Sequence, residues 1–121
     1  MIPQPLAEQE LHNLAMNIVG EDLQSQGFEF LAINSTLKKN PQFVALKDKI
    51  VYFVIVRAVL YPNKASNYDL VFMQTMKAHA AKFEAKTCYA GVGLGHGSDF
   101  KKPAIKNEPY GLVYQGIQEI L

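Results

Sequence analysis

In IVYFVIVRAVL, residues 50–60, one side chain carries charge: Arg57 interrupts the most apolar stretch of the chain. A guanidinium keeps its proton at any ordinary pH. Burying one is costly unless hydrogen-bonding or charged partners surround it. The carboxylates that stand near candidate elements are Glu21 and Asp22 late in a first helix, Asp48 in a polar turn and Asp69 ahead of a second helix.

Other reactive residue types are sparse. His12, His79 and His96 fall on different elements and lack the paired spacing with cysteine or acid that a zinc site uses, so no metal site is expected. His96, in a glycine-rich stretch, is the histidine with access. Cys88 lies in an apolar run with no neighbouring cue for a nucleophile and is expected to be a buried, inert thiol. GVGLGHG, 91–97, resembles a dinucleotide fingerprint but fails it: position 96 is histidine where glycine is needed, and SDFKKP follows instead of a helix. A flexible loop after a strand is the expectation there. Lys38, Lys39, Lys47, Lys49, Arg57 and Lys64 gather in sequence around one hairpin, where loop lysines are ordinarily solvated.

The elements that would position these residues follow from periodicity. Between Leu6 and Gln26 the apolar residues Leu11, Leu14, Ala15, Ile18, Val19 and Leu23 recur at helical spacing, and Gly27 stops the helix. Gly20 within it is expected to serve packing. FEFLAIN, 28–34, alternates as a strand does. QFVALK and KIVYFVIVRAVLY flank Lys47-Asp48-Lys49 as two arms of a hairpin. The second arm is apolar on both faces, which marks a central strand ended by Pro62. Ser66 and Asp69 resemble a capping box for a helix over about 67–84, with Met73 and Met76 in its core stripe. KTCYAGVGL, 86–94, reads as a buried strand, 95–109 as a loop, and YGLVYQGIQEIL as a short strand or turn. The order is α-β-β-β-α-β, an α/β class with a central mixed sheet and flanking helices.

Bulk properties are consistent with one domain over residues 1–121. The chain is 49% hydrophobic and 19% charged, enough for one core. Lysine plus arginine, 12, nearly balances aspartate plus glutamate, 11, so global charge favours neither nucleic acid nor a membrane surface. MIPQPLAEQE lacks the basic and apolar regions of a signal peptide, no run approaches a membrane span, and a single cysteine suits a reducing compartment. A soluble, cytoplasmic protein is expected.

This element order, with GEDLQSQGFEF at the end of the first helix, NPQFVALK on one hairpin arm and FVIVRA on the other, resembles the PD-(D/E)XK nuclease-like (restriction-endonuclease-like) superfamily over roughly residues 8–94. In active members acids hold a magnesium ion and a lysine assists the attacking water. Position by position, the resemblance puts Gln42 at the first acid, Ile55 at the second and Arg57 at the lysine, while Glu21 keeps the glutamate that some members carry on the helix. It therefore implies a degenerate, non-hydrolytic domain, a binding or interaction module for nucleic acid or protein, with a pocket bounded by Glu21, Gln42 and Arg57. It also implies that Arg57 pairs with Glu21 or Asp22 in place of a metal. Asp22, Lys38, Lys39, Asp69 and His96 are secondary candidates, and no cofactor is expected. Two alternatives stand beside it: a magnesium-dependent nuclease that uses Glu21 with Asp48 or Asp69, and a purely structural homodimer.

Overall fold

The computed structural model describes residues 2–121. Helix α1 spans Glu8–Ser25, strands β1, β2 and β3 span Glu29–Ile33, Phe43–Lys47 and Ile50–Val59, helix α2 spans Leu70–Ala81, and β4, β5 and β6 span Lys86–His96, Tyr110–Val113 and Gln118–Glu119. The domain is α/β, with a mixed six-stranded sheet in the order β1-β2-β3-β4-β5 and β6 paired to β4. β1 with β2 and β2 with β3 pair antiparallel, while β3 and β4 are parallel from Tyr52↔Lys86 to Val59↔Gly93. The crossover through α2 makes that parallel pair possible.

Strand alternation sorts β3 onto two faces. Val54 and Val56 join α1's Leu11, Ala15, Val19 and Leu23 together with Cys88 and Ala90. Ile55 faces the opposite way, against Met73 of α2, Tyr89 and Ile120. One helix therefore covers each face, giving three layers. Gly20 faces Phe43, whose ring would lie 3.5 Å from an added Cβ, an ordinary packing contact between the helix and β2.

Several boundaries differ from expectation. Asp48 and Lys49 both have positive φ, 51° and 67°, so the hairpin closes on a two-residue turn whose twist suits its strands. α2 starts three residues later than the capping-box pattern suggests: Asp69, not Ser66, is the cap, and its side chain accepts the Phe72 N–H at 3.0 Å. The helix ends where Phe83 and Ala85 both donate to the Ala80 carbonyl with Glu84 at φ 55°. β4 continues to His96, so most of GVGLGHG is strand and not a flexible loop. Its alternate glycines share one face and admit other backbone: a Cβ at Gly91 would meet the Ala65 carbonyl oxygen at 1.9 Å, and one at Gly95 the Phe100 carbonyl at 2.6 Å. The closing segment forms two short strands, both on the edge of β4 away from β3. Among the described residues no helix is long and apolar enough to cross a membrane.

Candidate functional site

Arg57 shares its face of β3 with Ile55 and so turns toward α2. Its guanidinium is half-buried and meets no carboxylate. Nη1 donates to the Val56 carbonyl at 2.8 Å and to Gln42 Oε1 at 3.4 Å, and Nη2 donates to Asn40 Oδ1 at 2.9 Å. The Phe72 ring of α2 lies 5.3 Å from Cζ, a cation–π distance. A guanidinium has five N–H groups, so donors are left over. Burial draws its pKa down, and the nearby Tyr89 opposes the shift.

Gln42 holds this arrangement together. It is fully buried, and its amide is saturated. Oε1 accepts from the Val56 N–H at 2.7 Å and from Arg57, while Nε2 donates to the Lys39 carbonyl at 3.2 Å and to Asn40 Oδ1 at 2.9 Å. The two donors at Oε1 and two acceptors at Nε2 fix the amide's orientation. A carboxylate here could not make the Nε2 bonds, so the amide is chemically used.

The ladder between β2 and β3 ends at Phe43↔Val54, but β3 runs on to Val59. The missing length of β2 leaves a notch of about 670 Å³ beside the end of β3, between the start of α1 and the 34–42 segment. Glu8, His12, Lys38, Arg57, Asn63 and Asn67 supply its polar lining. His12 is 3% exposed, and its Nε2 has no hydrogen-bond partner among the described residues. Burial lowers its pKa most, the Arg57 charge lowers it further, and Glu8 pulls it up. Two cations, one carboxylate and a neutral imidazole make a lining with net attraction for an anion.

The other expected residues do not join this constellation. Glu21 is exposed on α1, on the far side of the sheet from the Arg57 guanidinium. Asp22 accepts from the Tyr114 hydroxyl at 2.6 Å and from Gln26 Nε2 at 2.8 Å. The expected pairing of Arg57 with Glu21 or Asp22 is therefore not formed, because successive strand residues point to opposite faces and α1 covers the Val54–Val56 face. The ion pairs among the described residues are Lys86–Glu119, His96–Glu108 and Lys106–Glu10. Ile55 is core. Asp69 caps α2, Asp48 sits in the hairpin turn, and Lys39 is exposed near, but not in, the notch. His96 Nδ1 accepts from Ser98 while its Nε2 lies 3.6 Å from Glu108, well away from Arg57 on the sheet. No three of the described His, Cys, Asp and Glu residues gather as a metal site. Cys88 is buried, and burial chiefly, with Glu119, pushes its thiol up to about 12 against a small opposing pull from Lys86.

Asn40, His12 and Phe72 were not anticipated from the sequence. His12 had a signal: with Met16, Val19 and Leu23 it continues the buried stripe of α1, so a polar ring stands on an apolar face. Asn40 and Phe72 meet Arg57 only through the tertiary fold.

Residues 9–120 match a protein family described as Domain of unknown function (DUF8840), and the chain belongs to that family. No curated protein and no solved structure matches it.

Proposed function

We propose that this DUF8840 member is a non-hydrolytic binding module that takes a phosphate group of a nucleic acid into the notch beside β3, with Arg57 as the attracting charge. The observation that carries this reading is the half-buried guanidinium whose side-chain partners, Asn40 and Gln42, are both neutral. A phosphate would supply the missing negative charge through directed N–H···O bonds, for which a guanidinium's planar fork is suited. Lys38 stands ready at the same rim.

A relation to the PD-(D/E)XK superfamily is part of the same proposal. It is supported by the strand order, by the parallel step from β3 to β4, and by the adjacency of Gln42 and Arg57, two of the positions that the resemblance implied. With an amide at one acid position and a core isoleucine at the other, the domain would retain the binding face of such a fold without its chemistry.

Fluorescence anisotropy of labelled single-stranded and duplex oligonucleotides tests the proposal. Binding should weaken as salt rises, because phosphate contacts release counterions, and Arg57→Met should weaken it further. Salt-independent binding, or binding unchanged by the substitution, overturns it. Incubating plasmid with the protein and magnesium or manganese tests the nuclease alternative: cleavage that survives repurification would replace the binding-only reading.

A further inference from the structure

We propose a second binding site, for a planar heteroaromatic ring of the nucleobase type, in a cavity of about 380 Å³ on the α2 side of the sheet. The cavity lies where β3 and β4 run parallel and β3 gives way to the 60–69 loop, the end of a parallel pair outside which ligands of α/β folds collect. It does not depend on the anion site: it shares Asn63 with the notch but does not include Arg57.

Gly91 and Gly93 let Ala65 and Val113 settle against β4 at the base of the cavity, and Tyr61, Tyr89 and Phe100 contribute aromatic surface around it. Aromatic side chains stack on bases of any identity, since every base has a π-face. The polar lining is equally specific in kind. Asn63, Gln115 and Gln118 bring amides, each able both to donate and to accept, and none of the three side chains is hydrogen-bonded within the described protein. Such groups match the mixed donor and acceptor edge of a heterocycle. Lys64 is the one charged residue of the lining and no carboxylate accompanies it, so a cationic ligand is disfavoured. Ligand pockets run from about 300 to 1,000 Å³. This one sits at the lower end, suited to one ring system and its sugar instead of a dinucleotide.

Saturation-transfer difference NMR on the full chain, with adenosine and cytidine as probes and methyl riboside as a ring-free control, tests the site without involving phosphate. Ring protons of both nucleosides should receive saturation and the riboside should receive none. Ser66→Trp, at an exposed position of the lining, should block the cavity and abolish transfer. Tyr61→Ala, also exposed, should cut affinity about tenfold, the order expected for one lost stacking contact. Arg57→Met should leave nucleoside transfer intact, which separates this site from the notch. A dispersed proton–nitrogen spectrum of each variant establishes that it is folded. No transfer to either nucleoside in the folded parent overturns the proposal, as does transfer that persists unchanged in folded Ser66→Trp.

Discussion

The side-chain carbonyl of Gln42 accepts the backbone N–H of Val56 at 2.7 Å, so an amide side chain continues the ladder of β3 at the point where β2 stops. The same oxygen touches Arg57, which ties the local backbone of a central strand to the orientation of the guanidinium.

Replacing Gln42 tests both roles. Gln42→Leu leaves the Val56 N–H and the Lys39 carbonyl without these buried partners and should cost about 1–3 kcal/mol per group left unsatisfied. Gln42→Glu keeps an acceptor for Val56 and adds a charge for Arg57, yet loses both Nε2 donors. Urea midpoints should therefore fall in the order parent, Gln42→Glu, Gln42→Leu. A Gln42→Leu protein as stable as the parent would remove the ladder role.

Arg57→Met should change stability little while anion binding weakens. Gln42 Oε1 keeps its bond from Val56, Asn40 Oδ1 keeps its bond from Gln42, and the methionine can still pack on Phe72. The expected loss is about 1 kcal/mol, the size of an ordinary net hydrogen bond. Arg57→Lys keeps the charge but cannot reach Asn40, Gln42 and the Val56 carbonyl together from one ammonium. It should bind phosphate more weakly than the parent and more strongly than Arg57→Met, a ranking that calorimetric titration with oligonucleotide can read.

His12 should make the fold acid-sensitive. Its folded pKa lies below the ordinary value of 6.5, through burial first and the Arg57 charge second. Below the unfolded pKa the unfolded chain takes up a proton that the native state refuses. Stability is thus fully present above about pH 6.5 and declines as pH falls toward the depressed native value, by at most about 1.4 kcal/mol per pH unit for one such group. Urea unfolding across this range should show a shallower dependence in His12→Phe than in the parent. Arg57→Met should also flatten it, by removing one cause of the depression.

Gly91→Ala should be among the most damaging single changes, because the new methyl group would collide first with main chain at Ala65, which cannot rotate away, and also with the ring of the buried Tyr89. Overpacking of this kind typically costs 1–3 kcal/mol and occasionally more, so a loss at or above about 3 kcal/mol is expected in thermal or urea unfolding. Gly20→Ala, with ordinary contact distance to Phe43, should be neutral or mildly stabilising.

The order of the first six elements, the mixed character of the sheet and the central place of β3 were legible because hydrophobic periodicity and turn residues are local signals. The capping of α2 was displaced by three residues since Ser66 and Asp69 both suit a cap, and the Asp69 side chain is the one that accepts the Phe72 N–H. The two short closing strands were not resolved as separate elements, because two to four residues carry too little pattern and owe their state to the edge of β4. At the site, Gln42 and Arg57 were found as neighbours, yet Glu21 was assigned to the wrong side of the sheet. Arg57 has the parity of Ile55 and turns toward α2, so the α1 residues it approaches are those at the helix start beside the notch, Glu8 and His12, and not Glu21 near the helix end.

β3 pairs on one edge with β2 across a two-residue turn and on the other with β4, which follows only after the whole α2 crossover. The hairpin can close on a microsecond scale, whereas the parallel partner must await a much longer loop closure. During that interval the most apolar strand of the chain has one bare edge, so the rate at which the crossover docks sets how long a nascent molecule is exposed to strand exchange with its neighbours, and expression at high concentration should be limited by this step before it is limited by native stability.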